Sequence, residues 1–155
     1  MSNGELVEVT VQGEKEQAII LTRLEVIVKQ RSKKNGDVMG VGFGCGAALP
    51  PRRYQLDLDA PVPKFKLVKQ DPDSGEDVVE AVNFPYKVSS AEPEYLALES
   101  FTEGYTVWKA KLHWVMDGKT GYTEINDHGK NFVTFKNYPE DYWFSTNSME
   151  LSETE

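Results

Sequence analysis

Apolar and polar residues alternate along most of this chain, a pattern typical of β-strands with one buried face. Between Trp108 and Met116, for example, tryptophan, alanine, leucine and methionine alternate with lysine and histidine. The same two-residue period predicts further strands at Val7–Val11, Ala18–Val28, Tyr54–Leu58, Phe65–Leu67, Val79–Ala81 and Phe132–Phe135. No segment sustains the 3.6-residue period of a helix, and the one helical candidate, Ala91–Ser100, alternates enough to predict a strand.

Short runs of turn-forming residues separate these predicted strands. Asp117-Gly118 and the segment 126–129 each connect two runs closely enough to form a hairpin. We therefore predict that the strands Trp108–Met116, Tyr122–Ile125 and Phe132–Phe135 form a three-stranded meander.

Regularly spaced short strands with turns between them are typical of sandwiches and barrels, and about nine strands are expected here. We predict an all-β fold with little helix, an antiparallel two-sheet β-sandwich of jelly-roll or immunoglobulin-like type. Residues 1–144 are predicted to form a single domain. Residues 145–155, which are polar and acidic, are predicted to form a tail that frays.

Charge limits the classes of partner. The 155 residues carry a formal net charge of -8. This sign repels phosphate backbones, so nucleic-acid binding is not expected, and another protein is the expected partner. The N-terminal sequence shows no signal peptide and the longest apolar stretch is too short to span a membrane, so we expect no membrane insertion and a cytoplasmic location by default.

Motifs for catalysis or for a cofactor are weak. The segment Gly40–Gly46 contains G-x-G-x-G but runs into two prolines instead of a helix, so an edge strand or bulge is expected instead of a phosphate site. Cys45 is the single cysteine, and with His113 and His128 it could supply a nucleophile and base or a copper site. The early position of the cysteine argues against copper, and no cofactor is expected.

An acidic turn is the remaining metal candidate. Asp71, Asp73 and Asp77 lie in a turn that superficially resembles a calcium loop, although its fifth and sixth positions do not match an EF-hand. A solvated hairpin turn is the simpler interpretation, and calcium is kept as an alternative. Arg52 and Arg53 belong to the one basic concentration of the chain and are candidate contacts for an acidic partner.

Aromatic residues are concentrated in the C-terminal third. Tyr142, Trp143 and Phe144 cannot all face inward on one strand, because successive side chains point to opposite faces. Together with Tyr138, they are predicted to be a binding anchor, since exposed aromatic side chains dominate many interfaces.

Four stretches carry a resemblance to a known type of module: Leu56–Pro63, Asn83–Leu98, Trp108–Trp114 and Ile125–Phe132. They include a Leu-Asp-Leu-Asp turn, a Phe-Pro-x-x-Val-Ser segment and an Ile-x-Asp-x-Gly-x-Phe closure. In these motifs, over about residues 5–137, the chain resembles a β-rich C-terminal module of uncharacterised actinobacterial proteins. The resemblance implies a β-rich fold and assigns no activity or site residue.

These observations predict a non-catalytic binding or protein-interaction module on a β-sandwich. Three alternatives stay open: a carbohydrate-binding module that uses exposed aromatic rings, a structural or assembly protein, and a hydrolase with an unrecognised site.

Overall fold

A computed structural model describes residues 6–33, 51–81, 84–136, 142–145 and 150–153. In this part of the chain every regular element is a strand, and no helix is present that could cross a membrane. The strands are β1 (Leu6–Val11), β2 (Ile19–Ser32), β3 (Arg52–Asp57), β4 (Phe65–Gln70), β5 (Asp77–Ala81), β6 (Tyr86–Val88), β7 (Glu94–Phe101), β8 (Tyr105–Met116), β9 (Lys119–Ile125), β10 (Phe132–Phe135), β11 (Tyr142–Ser145) and β12 (Glu150–Glu153).

Two five-stranded sheets pack face to face, which confirms the predicted β-sandwich. The first sheet has the order β1-β7-β3-β4-β5. The second contains β6, β2 and β8 in that order, and both β9 and β10 pair with the free side of β8. The strand predicted at 91–100 is confirmed as β7, which lies between β1 and β3.

One strand pair departs from the antiparallel pattern. β7 runs antiparallel to β1 but parallel to β3, while the other pairs in the two sheets are antiparallel. The parallel pair arises because the chain leaves the first sheet after β5, places β6 in the second sheet and returns as β7. Local alternation does not encode the direction of such a return.

The interior contains the alternating residues from both sheets. Trp108 of β8 is fully buried and packs against Phe65 of the first sheet and Phe132 of β10, with ring centroids 6.3 and 4.9 Å away. The larger core also includes Leu21, Leu24, Tyr54, Leu56, Leu58, Leu67, Tyr86, Val88, Leu96, Leu98, Ala110, Leu112 and Ile125.

A bulge in β2 explains why both faces of that strand contain apolar residues. Leu21 pairs with Trp114 and Arg23 pairs with His113, so Thr22 is an extra residue without a directly opposed partner. An extra residue reverses the alternation that follows it. As a result, Leu21 before the bulge and Leu24 after it both face the core.

The predicted three-stranded meander is wrong in one respect. The hairpin of β8 and β9 is present, with Asp117 and Gly118 both at positive φ in its turn. However, β10 pairs with β8, not with β9, and continues along the same edge. The segment 126–131 projects from this edge as a small turn closed by hydrogen bonds between Asp127 and Lys130, and the chain then resumes its direction.

The C-terminal strands form a separate two-stranded sheet. The strand expected around 141–144 is present as β11, and it pairs with β12. The acidic segment that was predicted to fray therefore contains a strand. Its sequence has no clear two-residue period, so the pattern of apolar residues did not indicate it.

Candidate functional site

Among the described residues, a cleft lies between the two sheets at the edge where β1 faces β8 and β9. Its volume is about 990 Å³. The described residues that line it are Val7–Gln12, Glu14, Lys15, Gln17, Ile19, Leu21, Val88, Leu112, Trp114, Met116, Asp117, Thr123–His128 and Phe132. We call this space the intersheet cleft.

One wall of the intersheet cleft is the inner face of β1. Val7, Val9 and Val11 occupy alternate positions, so their side chains project from the same face of the strand. All three are half-buried and pack against the core. The alternation of β1 thus produces an apolar wall that is only partly covered.

The opposite wall comes from β8 and β9. Leu112, Trp114 and Met116 share the inward parity of β8, and Leu112 lies at the buried end of this series. Trp114 is directly opposite Gly121 of β9 and its indole ring lies against this glycine, where any side chain would overlap the ring. The indole N–H donates a hydrogen bond to Thr123 Oγ1 at 3.2 Å. These contacts hold a half-buried aromatic side chain flat along the wall.

The rim of the intersheet cleft is acidic. In the part of the chain that the structure describes, its lining includes five carboxylate residues and one lysine, Lys15. The carboxylates are Glu8, Glu14, Asp117, Glu124 and Asp127. Lys109 pairs with Glu124 at 2.5 Å. The other four carboxylates outnumber Lys15, so the net charge of the described rim is negative. An apolar interior with an acidic rim suits a partner that combines apolar and basic groups.

The structure places the two predicted binding arginines on opposite faces of the first sheet. Arg52 forms a two-pronged pair with Glu94, at 2.7 and 3.2 Å, and its guanidinium lies 4.0 Å from the centroid of the Tyr86 ring. Arg53 contacts Glu99 at 2.9 Å and Asp77 at 3.3 Å. Both positive charges therefore have carboxylate partners within the fold, and contact of these arginines with an acidic partner stays a prediction.

The acidic turn is organised by its own hydrogen bonds. The carboxylate of Asp71 accepts from the backbone N–H of Asp73 at 2.9 Å and from the hydroxyl of Ser74 at 3.0 Å. These bonds lower the pKa of Asp71, the backbone bond most strongly. Asp77 forms an ion pair with Arg53 at 3.3 Å. Across the described ranges, no cluster of three or more His, Cys, Asp or Glu side chains is placed to hold a metal ion.

Several candidates fall where the structure gives no description. Tyr138, Cys45 and the glycine-rich segment Gly40–Gly46 lie outside the described residues. For Tyr142, Trp143 and Phe144 the backbone of β11 is described and the side chains are not. The aromatic anchor therefore stays a prediction.

His113 belongs to a polar cluster on the outer face of the second sheet. Its Nε2 lies 2.6 Å from the carboxylate of Glu25 and 3.1 Å from the guanidinium of Arg23. A catalytic histidine needs a ring nitrogen directed at a nucleophile, with an acid on the other nitrogen. Here one nitrogen meets both the acid and the arginine, which is the arrangement of an ion-pair cluster on a sheet surface.

This cluster predicts a small dependence of stability on pH. The hydrogen bond from His113 is the main cause that lowers the pKa of Glu25 from its ordinary value of 4.5. A carboxylate with a lowered pKa stabilises the fold above its unfolded pKa, and this contribution is lost as the pH falls through the lowered value. We expect Glu25→Gln to reduce the free energy of unfolding at pH 7 and to have a smaller effect at about pH 2, because the carboxyl becomes protonated in both states as the pH falls through the lowered pKa.

Urea denaturation of both proteins at the two pH values measures this difference. The effect at pH 7 should be small because the pair is solvent-exposed and screened. Glu16→Gln, at an exposed position between β1 and β2, is the matched control. An equal effect of Glu25→Gln at both pH values would show that the loss comes from packing and not from the charge.

Sequence reasoning did not identify the intersheet cleft. The alternation correctly places Val9, Leu112 and Trp114 on inward faces, but it does not show which strands lie at a sheet edge. A cleft that opens between two sheets depends on strand order, for which no local signal exists. Gly121 opposite Trp114 is the closest to a signal, since a glycine in a strand often marks a close approach.

Comparison of the chain with protein-family models, curated proteins and solved structures finds no match. The resemblance to the actinobacterial module stays a prediction.

Proposed function

We propose that this protein is a binding module that holds an apolar group of a partner molecule in the intersheet cleft. The observation that carries the proposal is the cleft itself, about 990 Å³ in volume with half-buried valine, tryptophan and methionine side chains in its walls. Ligand pockets have volumes of roughly 300–1,000 Å³ and are lined mostly by apolar and aromatic side chains. Occupation of the cleft would remove these walls from water, which is the main driving force for such binding.

The carbohydrate alternative has less support in the described residues. Tyr122 is the exposed aromatic ring among them, 53 % accessible. The ammonium group of Lys111 lies 4.2 Å from the centroid of this ring and covers one of its faces. A sugar-binding platform needs open ring faces, so the apolar cleft is the better candidate site.

Binding of the neutral apolar dye Nile red tests the proposal. We expect the intact chain to bind it saturably, with a rise in dye emission. Val9→Asp on one wall and Met116→Asp on the other should each weaken binding at least about tenfold, because a carboxylate in an apolar contact is strongly unfavourable. The controls are far-ultraviolet circular dichroism and thermal melting, which report whether each variant folds.

Val79→Asp is the matched variant. Val79 lies on β5, the opposite edge of the same sheet, and is 50 % exposed. Its substitution should leave dye affinity unchanged. Equal losses in Val79→Asp and Val9→Asp, or unchanged binding in both cleft variants, would contradict the proposal.

A further inference from the structure

The strand β1 has an unpaired edge alongside the intersheet cleft. β1 is the terminal strand of its sheet, and its register with β7 runs from Leu6 opposite Glu99 to Val11 opposite Glu94. Within the described residues, no strand pairs with its other side. Every second residue of such a strand directs its N–H and C=O groups away from the sheet, which makes the edge a template for another strand.

The cleft lies where the side chains of an added strand would point. Val7 and Val9 project from β1 toward the second sheet, whose facing wall includes Trp114 and Ile125. A strand next to β1 in the same sheet would direct alternate side chains to this same space. Apolar residues at every second position would therefore enter the cleft while the residues between them face solvent.

The charge of the rim determines which residues of an added strand are favourable at its solvent-facing positions. Among the described residues, the rim has five carboxylates against Lys15 and the Lys109 that pairs with Glu124, and the whole chain has a formal net charge of -8. Lysine or arginine between the apolar positions would lie in this negative field, whereas glutamate or aspartate would be repelled.

We propose that the partner is an extended, basic segment of another protein, which adds to β1 as a further strand and places alternate apolar side chains in the intersheet cleft. This inference rests on the proposed function, because it names the occupant of the same cleft. Backbone hydrogen bonds to β1 would supply much of the affinity, and the spacing of apolar and basic residues would supply selectivity.

The opposite edge of the same sheet is the natural comparison. β5 is also a terminal strand, and its Val78 and Val79 are exposed. None of the described residues that line the intersheet cleft belongs to β5. If an unpaired edge were sufficient for binding, the segment would bind β1 and β5 with similar affinity. If binding also requires the cleft, the segment binds at β1.

Two isomeric peptides test the strand addition. The parent probe is a capped six-residue peptide in which three valines alternate with three lysines. In an extended strand, the amides of all the valines point to one edge and those of the lysines to the other. One isomer therefore has N-methyl groups on the valine amides and the other on the lysine amides. Strand addition predicts that one isomer keeps the parent affinity and the other loses at least about tenfold, since it cannot donate to β1.

Hydrogen exchange locates the bound peptide on the intact chain without any substitution. With the parent peptide, the amides of β1 should become protected and those of β5 should not. A peptide with glutamate in place of lysine should give no protection.

Other results of the peptide and dye experiments separate the strand addition from the proposed function. Equal affinity of the two isomers, protection at β5, or no binding of the parent peptide would overturn the strand addition. If Nile red still binds in the cleft in those cases, the proposed function stands and only the inference about its partner fails. If the dye does not bind either, both fail.

Discussion

Thr134→Val is expected to lower the free energy of unfolding by about 2–4 kcal/mol, although valine has nearly the same shape as threonine. The Thr134 hydroxyl of β10 accepts a hydrogen bond from the indole N–H of Trp108 at 2.8 Å. It also shares a 2.7 Å hydrogen bond with the hydroxyl of Ser100 on β7, in the other sheet. All three side chains are buried, so the valine would leave two polar groups without a partner or water.

Chemical denaturation of the purified variant measures this loss. Thr123→Val is the matched control, because Thr123 accepts the corresponding bond from the indole of Trp114 at an exposed site where water can replace it. It should cost less than about 1 kcal/mol. Similar losses in the two variants would show that the buried hydroxyl bridge between the sheets is not a special source of stability.

Gly104→Ala is expected to destabilise the fold by about 2–3 kcal/mol through steric overlap. Gly104 lies in the turn between β7 and β8, and a methyl group there would overlap the carbonyl oxygen of Ser32 at the end of β2. The obstruction is backbone, so no side-chain rotation can relieve it. The carbonyl of Gly104 also accepts from the N–H of Lys136 at 2.8 Å, so a shift of this turn would disturb the end of β10 as well.

The control separates overlap from backbone strain. Gly118, in the turn between β8 and β9, has a φ of 70° and no atom near the position of an added methyl group. Gly118→Ala should cost about 1 kcal/mol from the left-handed conformation alone. If thermal and urea denaturation give the same loss for both variants, close approach to Ser32 is not what requires glycine at position 104.

Strand positions and inward faces could be predicted because they depend on local alternation. Trp108, which was predicted to be in the core, is fully buried. The inward face of β2 could not be assigned in the same way. The extra residue Thr22 reverses the alternation, so odd-numbered residues before it and even-numbered residues after it face the core. A sequence with apolar residues on both faces is compatible with a bulge, but the pattern does not show where it occurs.

Pairing partners were harder to predict because they depend on the whole chain. The turn between Asp127 and Lys130 has the features of a hairpin, with His128 and Gly129 both at positive φ. It is closed by a single bridge, after which β10 pairs with β8 instead of β9. Turn chemistry therefore predicted the local geometry correctly and the pairing of the next strand incorrectly.

The candidate site was the least predictable feature. Arg52 and Arg53 form a basic pair in the sequence, but carboxylates distant in sequence, Glu94 and Glu99, engage their charges. Val9 has the alternation of any half-buried strand, and only its place at a sheet edge turns it into a cleft wall. Both outcomes depend on strand order, which a single sequence does not encode locally.

Methyl-detected NMR with a soluble apolar probe such as 1-octanol tests the central claim, that the intersheet cleft binds apolar groups, most directly. On titration, saturable shifts are predicted for the methyl groups of Val7, Val9, Val11 and Ile125, while Val62 and Val79 on other surfaces stay unchanged. Shifts centred on Val62 or Val79, or no saturable shift at the cleft methyl groups, would contradict the account.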